Sequence, residues 1–208
     1  FSTSKYIISS QTLLPTISDD LKKCAIYSPL LSLLFISAYI LIRFRKWQYS
    51  LGTLVALLHD IFVTLAVFSF LRRVVPFALE IDQHFIAAVL TVIGFSMNDT
   101  VIVFDRIREY FRKRPGQSKT DIINAAINDT MSRTIMTSLT VFITLLILFL
   151  FGGEVTKGFA FAMMIGVFTG TYSSIFVAAP ILIDLDKSDK LTQEVDKDLH
   201  IEELKKMA

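Results

Sequence analysis

Three ionisable residues lie in or beside long apolar runs, where a charge is strongly destabilised. Asp60 follows His59 near the middle of one run, Asp99 lies near the end of a second, and Arg133 stands at the start of a third. Ionisable side chains inside a bilayer usually face a bundle interior or a water-filled path. A carboxyl group there binds or releases a proton according to whether a cation is near. The chemistry that these residues indicate is therefore reversible proton binding.

Five apolar runs are each long enough to cross a bilayer, which takes about 20 residues. They cover residues 24–42, 50–71, 84–104, 134–151 and 158–183. Of the 208 residues, 53% are hydrophobic, which exceeds the roughly 45–50% of soluble domains. The mean hydropathy is +0.57. We therefore predict an all-α integral membrane protein, a bundle of five transmembrane helices embedded in the lipid bilayer.

The depth of the two aspartates follows from the helical rise. Asp60 lies about 15 Å from either interface, too far for its side chain to reach water. Asp99 lies about 9 Å from the nearer end of its run. Arg133 enters the next run from the same side, so we expect a buried Arg133 to meet Asp99 and satisfy both charges. Asp99 and Arg133 are the predicted proton-relay residues.

Other intramembrane polar groups are candidates for a supporting role. They are His59, Asp60, Asn98, Thr100 and Thr137. His59 and Asp60 can also serve only to join helices by hydrogen bonds. The hydroxyls of the fourth run either line a wet path or bond carbonyls of their own helix. The spacing of Gly166 and Gly170 is typical of close helix packing.

The basic residues predict the orientation of the chain. Fourteen Lys and Arg residues fall on one side of the predicted membrane and six on the other, with Arg133 at the border. Basic loops stay in the cytoplasm, so the N-terminus is predicted outside and the C-terminus inside. Residues 1–23 then read as the end of an extracytoplasmic domain and its linker, and the missing initiator Met indicates a longer polypeptide. Segment 105–132 is predicted as a cytoplasmic stretch with a short amphipathic helix, and 185–208 as a cytoplasmic tail.

Several function classes find no support in the residues. A single cysteine, Cys24, permits no internal disulfide, and three scattered histidines suggest no metal site. No phosphate-binding loop, zinc-protease motif or hydrolase nucleophile motif occurs. The net charge of +2 gives no reason to expect a nucleic-acid partner. We expect no enzyme and no cofactor, with the proton as coupling ion and sodium as an open alternative.

The longest specific motif covers residues 94–109, with the sequence GFSMNDTVIVFDRIRE. It resembles the signature of the SecF family of protein-export membrane components. Further matches are residues 58–60 (LHD), 132–134 (SRT), 151–153 (FGG), 158–160 (GFA) and 170–174 (GTYSS). The resemblance extends over residues 24–184. Phe95 departs from it, because the family usually has a tyrosine there.

The resemblance implies a role in export that spacing alone does not give. Members work with SecD, as two chains or one fused chain, and belong to the resistance–nodulation–division superfamily. They assist the SecYEG translocon of the bacterial cytoplasmic (inner) membrane, using the proton gradient to draw unfolded polypeptides across. A whole member has six spans, so the five runs correspond to spans two to six. The relay aspartate and its arginine partner map onto Asp99 and Arg133.

Two alternatives remain open at this stage. One is a proton-coupled exporter of small molecules or lipids from the same superfamily. The other is a non-motor scaffold of the translocon, in which the buried charges serve assembly only. Replacing Asp99 by asparagine separates a scaffold, which tolerates the change, from a proton relay, which does not.

Overall fold

The computed structural model describes residues 15–75, 79, 81–114 and 116–185, apart from the side chains of 15–21, 154 and 155. Residues 1–14 of the predicted extracytoplasmic segment and the predicted tail after residue 185 lie outside the described residues. The described chain consists of helices and short connections, and it contains no strand. The predicted all-α class is confirmed.

Seven helical elements follow one another along the described chain. They are α1 Pro15–Phe44, α2 Trp47–Leu71, α3 Gln83–Lys113, α4 Lys119–Phe151, α5 Glu154–Ser173, a π-helical segment Ser174–Ala178, and α6 Ala179–Leu185. Five stretches are long and apolar enough to cross a membrane: Lys22–Phe44, Trp47–Leu71, Gln83–Lys113, Lys119–Phe151 and Thr156–Leu185. These stretches confirm the five predicted spans, and the last one combines α5, the π-helical segment and α6.

Polar side chains and glycines fix the helix ends. Asp82 and Ser118 precede α3 and α4, and each side chain accepts a backbone N–H from three residues further on, at 2.9 and 3.2 Å. Such caps satisfy amides that the first helical turn leaves unpaired. Gly152 and Gly153 stand between α4 and α5. Arg45 adopts a left-handed conformation with φ of 57°, which ends α1 and starts the short turn into α2.

The two longest helices correct one prediction. Helices α3 and α4 contain 31 and 33 residues, or about 46 and 50 Å, against a hydrocarbon core of about 30 Å. Residues 105–113 continue α3 and 119–132 begin α4, so the separate amphipathic surface helix predicted within 105–132 is wrong. Its apolar face, with Ile122, Ile123 and Ala126 buried, packs into the bundle, and no helix-breaking residue separates it from the span.

The closest helix approach joins α3 to α5 through the predicted glycine pair. A Cβ added at Gly166 would lie 2.0 Å from Cγ2 of Val92, and one at Gly170 would lie 2.9 Å from Cβ of Ser96. Helix α5 has no room for a side chain at these contacts. The packing role predicted for Gly166 and Gly170 is confirmed.

Two apolar clusters fill the bundle, one toward each end. On α3 the first cluster reaches Ile93 and the second begins at Val103. Between the two clusters, α2, α3, α5 and the π-helical segment contribute buried polar residues. We call these residues the polar layer: Asp60, Ser96, Asp99, Thr100, Ser173 and Ser174. The outer surface is apolar, with Ile42, Phe70 and Phe151 more than three-quarters exposed. Polar groups that face the interior, beneath an apolar outer surface, fit a protein that lipid surrounds.

Candidate functional site

Asp60 is the centre of the polar layer. Its side chain is fully buried, with 0% exposure. One carboxylate oxygen, Oδ2, accepts hydrogen bonds from Ser96 Oγ at 2.5 Å and from Ser173 Oγ at 2.8 Å. These contacts connect α2 to α3 and to α5 at a single atom. The small size of both serines, next to the glycine contacts of α5, allows the three helices to approach this closely.

His59 lies beside Asp60 and reaches the surface of the bundle. Its Nδ1 lies 3.2 Å from the other oxygen, Oδ1, of Asp60. The His59 side chain is 34% exposed, and its ring centroid lies 6.2 Å from that of Tyr172 on α5. The pair therefore extends from a fully buried carboxylate to a partly exposed imidazole.

Two successive serines contact different partners at the point where α5 passes into the π-helical segment. Ser173 ends α5 and bonds Asp60, while Ser174 starts the π-helical segment and lies 2.9 Å from Thr100 Oγ1 on α3. Ser174 also donates to the carbonyl of Gly170, and Thr100 to that of Ser96. A π-helical turn inside a helix is uncommon and frequently occurs at functional sites. Thr100, a predicted supporting residue, thus belongs to the polar layer.

Asp99 is buried on α3, as predicted, with 1% exposure. Its Oδ2 is shielded from solvent and has no hydrogen-bond partner in the described part of the chain. Asp60 differs, because both of its oxygens have partners. One of these partners, Ser96, lies one helical turn before Asp99 on α3. Asp99 is therefore a buried carboxyl group with one oxygen, Oδ2, that packing leaves unsatisfied.

Arg133 does not form the contact that its position in the sequence led us to expect. The side chain is exposed, and no ion pair joins it to Asp99 within the described residues. The reason lies in the register of α4, whose buried face includes Thr130, Thr134 and Ser138. Arg133 is one residue before Thr134, so it stands about 100° away from that face.

The hydroxyls of α4 divide into two groups. Ser138 contacts Thr171 Oγ1 on α5 at 2.6 Å, whereas the buried Thr134 hydroxyl has no described partner. The predicted supporting residue Thr137 is exposed and donates to carbonyls of its own helix, those of Arg133 and Thr134. Most hydroxyl groups of α4 therefore donate to carbonyls of their own helix, whereas the Thr134 hydroxyl has no partner among the described residues.

Sequence reasoning missed the two serines that hold Asp60. Ser96 was only part of the long motif, and Ser173 was noted only beside Gly170. Their signal is a small hydroxyl residue at helical spacing from a buried glycine or carboxyl group. Asn98, by contrast, is exposed, and no side-chain hydrogen bond joins it to Asp60 or Asp99 in the described part of the chain.

Ion pairs hold the helices together at one end of the bundle, here called the basic end, which carries Arg43, Arg106 and Lys113. Arg43 bonds Asp105 at 3.0 Å and so joins α1 to α3. Arg106 bonds Asp129 and so joins α3 to α4. Both pairs are partly exposed, which limits each to about 0–1 kcal/mol.

These features define a class of protein, a helical membrane protein with ionisable groups in its interior. Within the described residues, no three His, Cys, Asp or Glu side chains group together as they would around a metal ion. The polar layer places two buried carboxyl groups, those of Asp60 and Asp99, beside buried hydroxyl groups.

Comparison with known proteins gives the family. Residues 1–188 match the model of the protein export membrane protein SecD/SecF, C-terminal family. The chain belongs to the SecD/SecF family and is a multi-pass protein of the bacterial inner membrane. The predicted resemblance is confirmed.

Curated relatives carry the names SecF and SecDF. The protein translocase subunit SecF of Rhodothermus marinus is 52% identical over 186 residues, covering 88% of this chain and 59% of the relative. That of Rhodobacter capsulatus is 42% identical, covering 92% and 56%. The SecDF of Brucella abortus is 37% identical, covering 90% and 25%. The chain thus spans somewhat more than half the length of the SecF relatives.

Solved structures agree with this assignment. The chain superimposes on the crystal structure of SecDF, a translocon-associated membrane protein from Thermus thermophilus, with a TM-score of 0.73 and 36% identity. The match covers 82% of this chain and 23% of that one. A crystal structure of SecDF in the super-membrane-facing form gives a TM-score of 0.69 and 34% identity, covering 89% and 24%.

Proposed function

We propose that this chain is the membrane part of a protein-export subunit that uses the proton gradient to promote translocation and release of secreted polypeptides. Its partners in this proposal are SecD, the SecYEG translocon and the exported unfolded polypeptide. Membership of the SecD/SecF family supports the export role. The polar layer supports the coupling to protons, because it places carboxyl groups inside a lipid-covered bundle.

The observation that carries the proposal is the unsatisfied carboxyl group of Asp99. Burying an ionised carboxylate without hydrogen-bond donors or a paired cation is strongly unfavourable. A proton on Asp99 removes that cost, since the neutral carboxyl group has no net charge to desolvate. Asp99 in the present arrangement is thus suited to hold the coupling proton.

Release of the proton changes the force between α3 and α4. An ionised Asp99 attracts the guanidinium of Arg133, and this attraction is strong where water is excluded. Arg133 is exposed in the present arrangement, so approach to Asp99 requires α4 to rotate or shift against α3. This movement is the step that we propose drives extracytoplasmic domains attached to the bundle.

The orientation predicted from the basic residues fits this cycle. The basic end then faces the cytoplasm, and Asp99 lies nearer to it than to the opposite surface. In the proposed cycle the chain is not an enzyme and uses no cofactor. The coupling ion is the proton, and replacing a proton gradient by a sodium gradient in the same vesicles distinguishes the two ions.

The test is gradient-stimulated export in vesicles that contain the full-length protein, its SecD partner and the translocon. The variant Asp99→Asn keeps the shape of the side chain but cannot ionise. The matched control is Asp105→Asn, the same change six residues later on α3, at the exposed pair with Arg43. Assembly of the complex is measured for both variants.

We expect Asp99→Asn to assemble and to lose the stimulation of export by the proton gradient, while Asp105→Asn retains it. Unchanged stimulation in Asp99→Asn refutes the relay and leaves a scaffold. Transport of small molecules or lipids, with no effect of either variant on protein export, indicates an exporter of the same superfamily.

A further inference from the structure

A second buried carboxyl group, separate from Asp99, meets a titratable side chain in the middle of α2. His59 is the central residue of Trp47–Leu71, about 18 Å from either end of that helix. At this depth an imidazole that faces lipid is destabilised. Its 34% exposure therefore indicates that this face of the bundle meets water or a polar partner.

The hydrogen bonds of Asp60 leave one of its oxygens for His59. Both serine hydroxyls donate to Oδ2, one from α3 and one from α5. The remaining oxygen, Oδ1, lies 3.2 Å from Nδ1 of His59. Hydrogen bonds fixed on one oxygen hold the carboxyl group in one orientation, with its other oxygen directed at the imidazole.

The groups that face Asp60 include one titratable neighbour. From α3 and α5 it meets the hydroxyls of Ser96 and Ser173, and from its own helix it meets His59. No lysine or arginine of the described chain acts on it. The ring of Tyr172 on α5 lies beside His59 rather than beside the carboxyl group. Among the side chains that contact Asp60, His59 is thus the one that can itself carry a proton to or from the carboxyl group.

We propose that His59 and Asp60 form a second proton-binding site, with His59 as its entrance. A proton binds at Nε2 of the neutral imidazole, and the proton on Nδ1 passes to Oδ1 of Asp60. The ring returns to neutrality in its other tautomer, and the carboxylate becomes a neutral acid that remains bonded to both serines. The reverse sequence returns the proton to the exposed face of His59.

This site deepens the proposed function, because it gives the bundle a second position for the coupling ion. It joins α2, α3 and α5, whereas Asp99 and Arg133 act between α3 and α4. Protonation of Asp60 weakens the two serine hydrogen bonds, since a neutral carboxyl oxygen is a poorer acceptor than an ionised one. The proposed consequence is a looser contact of α5 with α2 and α3.

The experiment is infrared difference spectroscopy of the full-length protein with its partner in lipid vesicles, titrated from about pH 5 to about pH 9. A neutral carboxyl group gives a carbonyl band that its ionised form lacks. We expect one such band to vanish in Asp60→Asn and to persist in Asp99→Asn. In His59→Gln, which keeps a hydrogen-bonding amide, the midpoint of that band shifts by at least about one pH unit, a tenfold change in proton affinity.

The proposal is overturned if no band depends on Asp60 over this range, or if His59→Gln leaves its midpoint unchanged. It is also overturned if sodium ions replace the proton and abolish the band. Should Asp60→Asn fail to fold, the midpoint in His59→Gln decides alone, because that variant keeps both serine contacts. The result is independent of the export test, since Asp99→Asn retains the Asp60 band whether or not it exports.

Discussion

Asp99 is buried on α3 and Arg133 is exposed on the packed neighbouring helix α4, with no ion pair between them in the described part of the chain. A charge that acts through its field needs no particular arrangement of donors. We therefore expect Arg133→Lys to keep most of the gradient-stimulated export and Arg133→Gln to lose it. The measurement is the export rate with and without a proton gradient at equal protein levels.

The control for Arg133 is Arg112→Gln, which removes a charge from an exposed position on α3. It should leave stimulation unchanged. If Arg133→Lys is as inactive as Arg133→Gln, a paired guanidinium geometry is required instead, and the present account of Arg133 is wrong.

The contact of Gly166 with Val92 predicts a specific loss of stability. In Gly166→Ala the new Cβ meets Cγ2 of Val92 at 2.0 Å, so α3 and α5 must separate. Overpacking of this kind costs about 1–3 kcal/mol. We expect a lower thermal unfolding midpoint in detergent, and partial recovery in the double variant with Val92→Ala.

Gly94 supplies the matched control for Gly166. It lies in α3, and a Cβ added there meets nothing within 4 Å. Gly94→Ala should leave the midpoint unchanged or raise it, because alanine favours the helix by about 1 kcal/mol over glycine. Equal destabilisation by both substitutions contradicts the packing argument.

The unpartnered hydroxyl of Thr134 predicts an unusual gain. Thr134→Val keeps the side-chain shape and removes a buried polar group without a described partner, so we expect stabilisation of about 1 kcal/mol. Ser138→Ala on the same helix face removes the contact with Thr171 and should destabilise the protein by a similar amount. Thermal unfolding of both variants measures the difference, and a loss of stability in Thr134→Val shows that its hydroxyl has a partner after all.

The spans and the buried aspartates could be predicted from the sequence because lipid imposes a simple rule. Each span needs a long apolar run, and any carboxylate within it must face inward. The burial of Asp60 and Asp99 therefore followed from position alone, and the glycine spacing predicted close helix packing without naming the partner helix. The merging of 105–132 into α3 and α4 could not be predicted, since its apolar face fits a membrane surface as well as a bundle.

The partners of the two aspartates depend on rotation about the helix axes, which one sequence does not determine. Ser96 and Ser173 reach Asp60 because α3 and α5 approach at Gly170, and because the π-helical segment begins at Ser174. Arg133 and Thr134 differ by one residue, yet one is exposed and the other buried. A rotation of about 100° decides which of them faces the interior of the bundle.

The most direct test of the central claim, that Asp99 carries the coupling proton, is proton entry into vesicles during export. A pH-sensitive dye inside vesicles holding the full-length complex reports the flux when a precursor protein is translocated. The account predicts export-dependent flux in the unaltered protein and in Asp105→Asn, and none in Asp99→Asn. Undiminished flux in an assembled Asp99→Asn complex would contradict it.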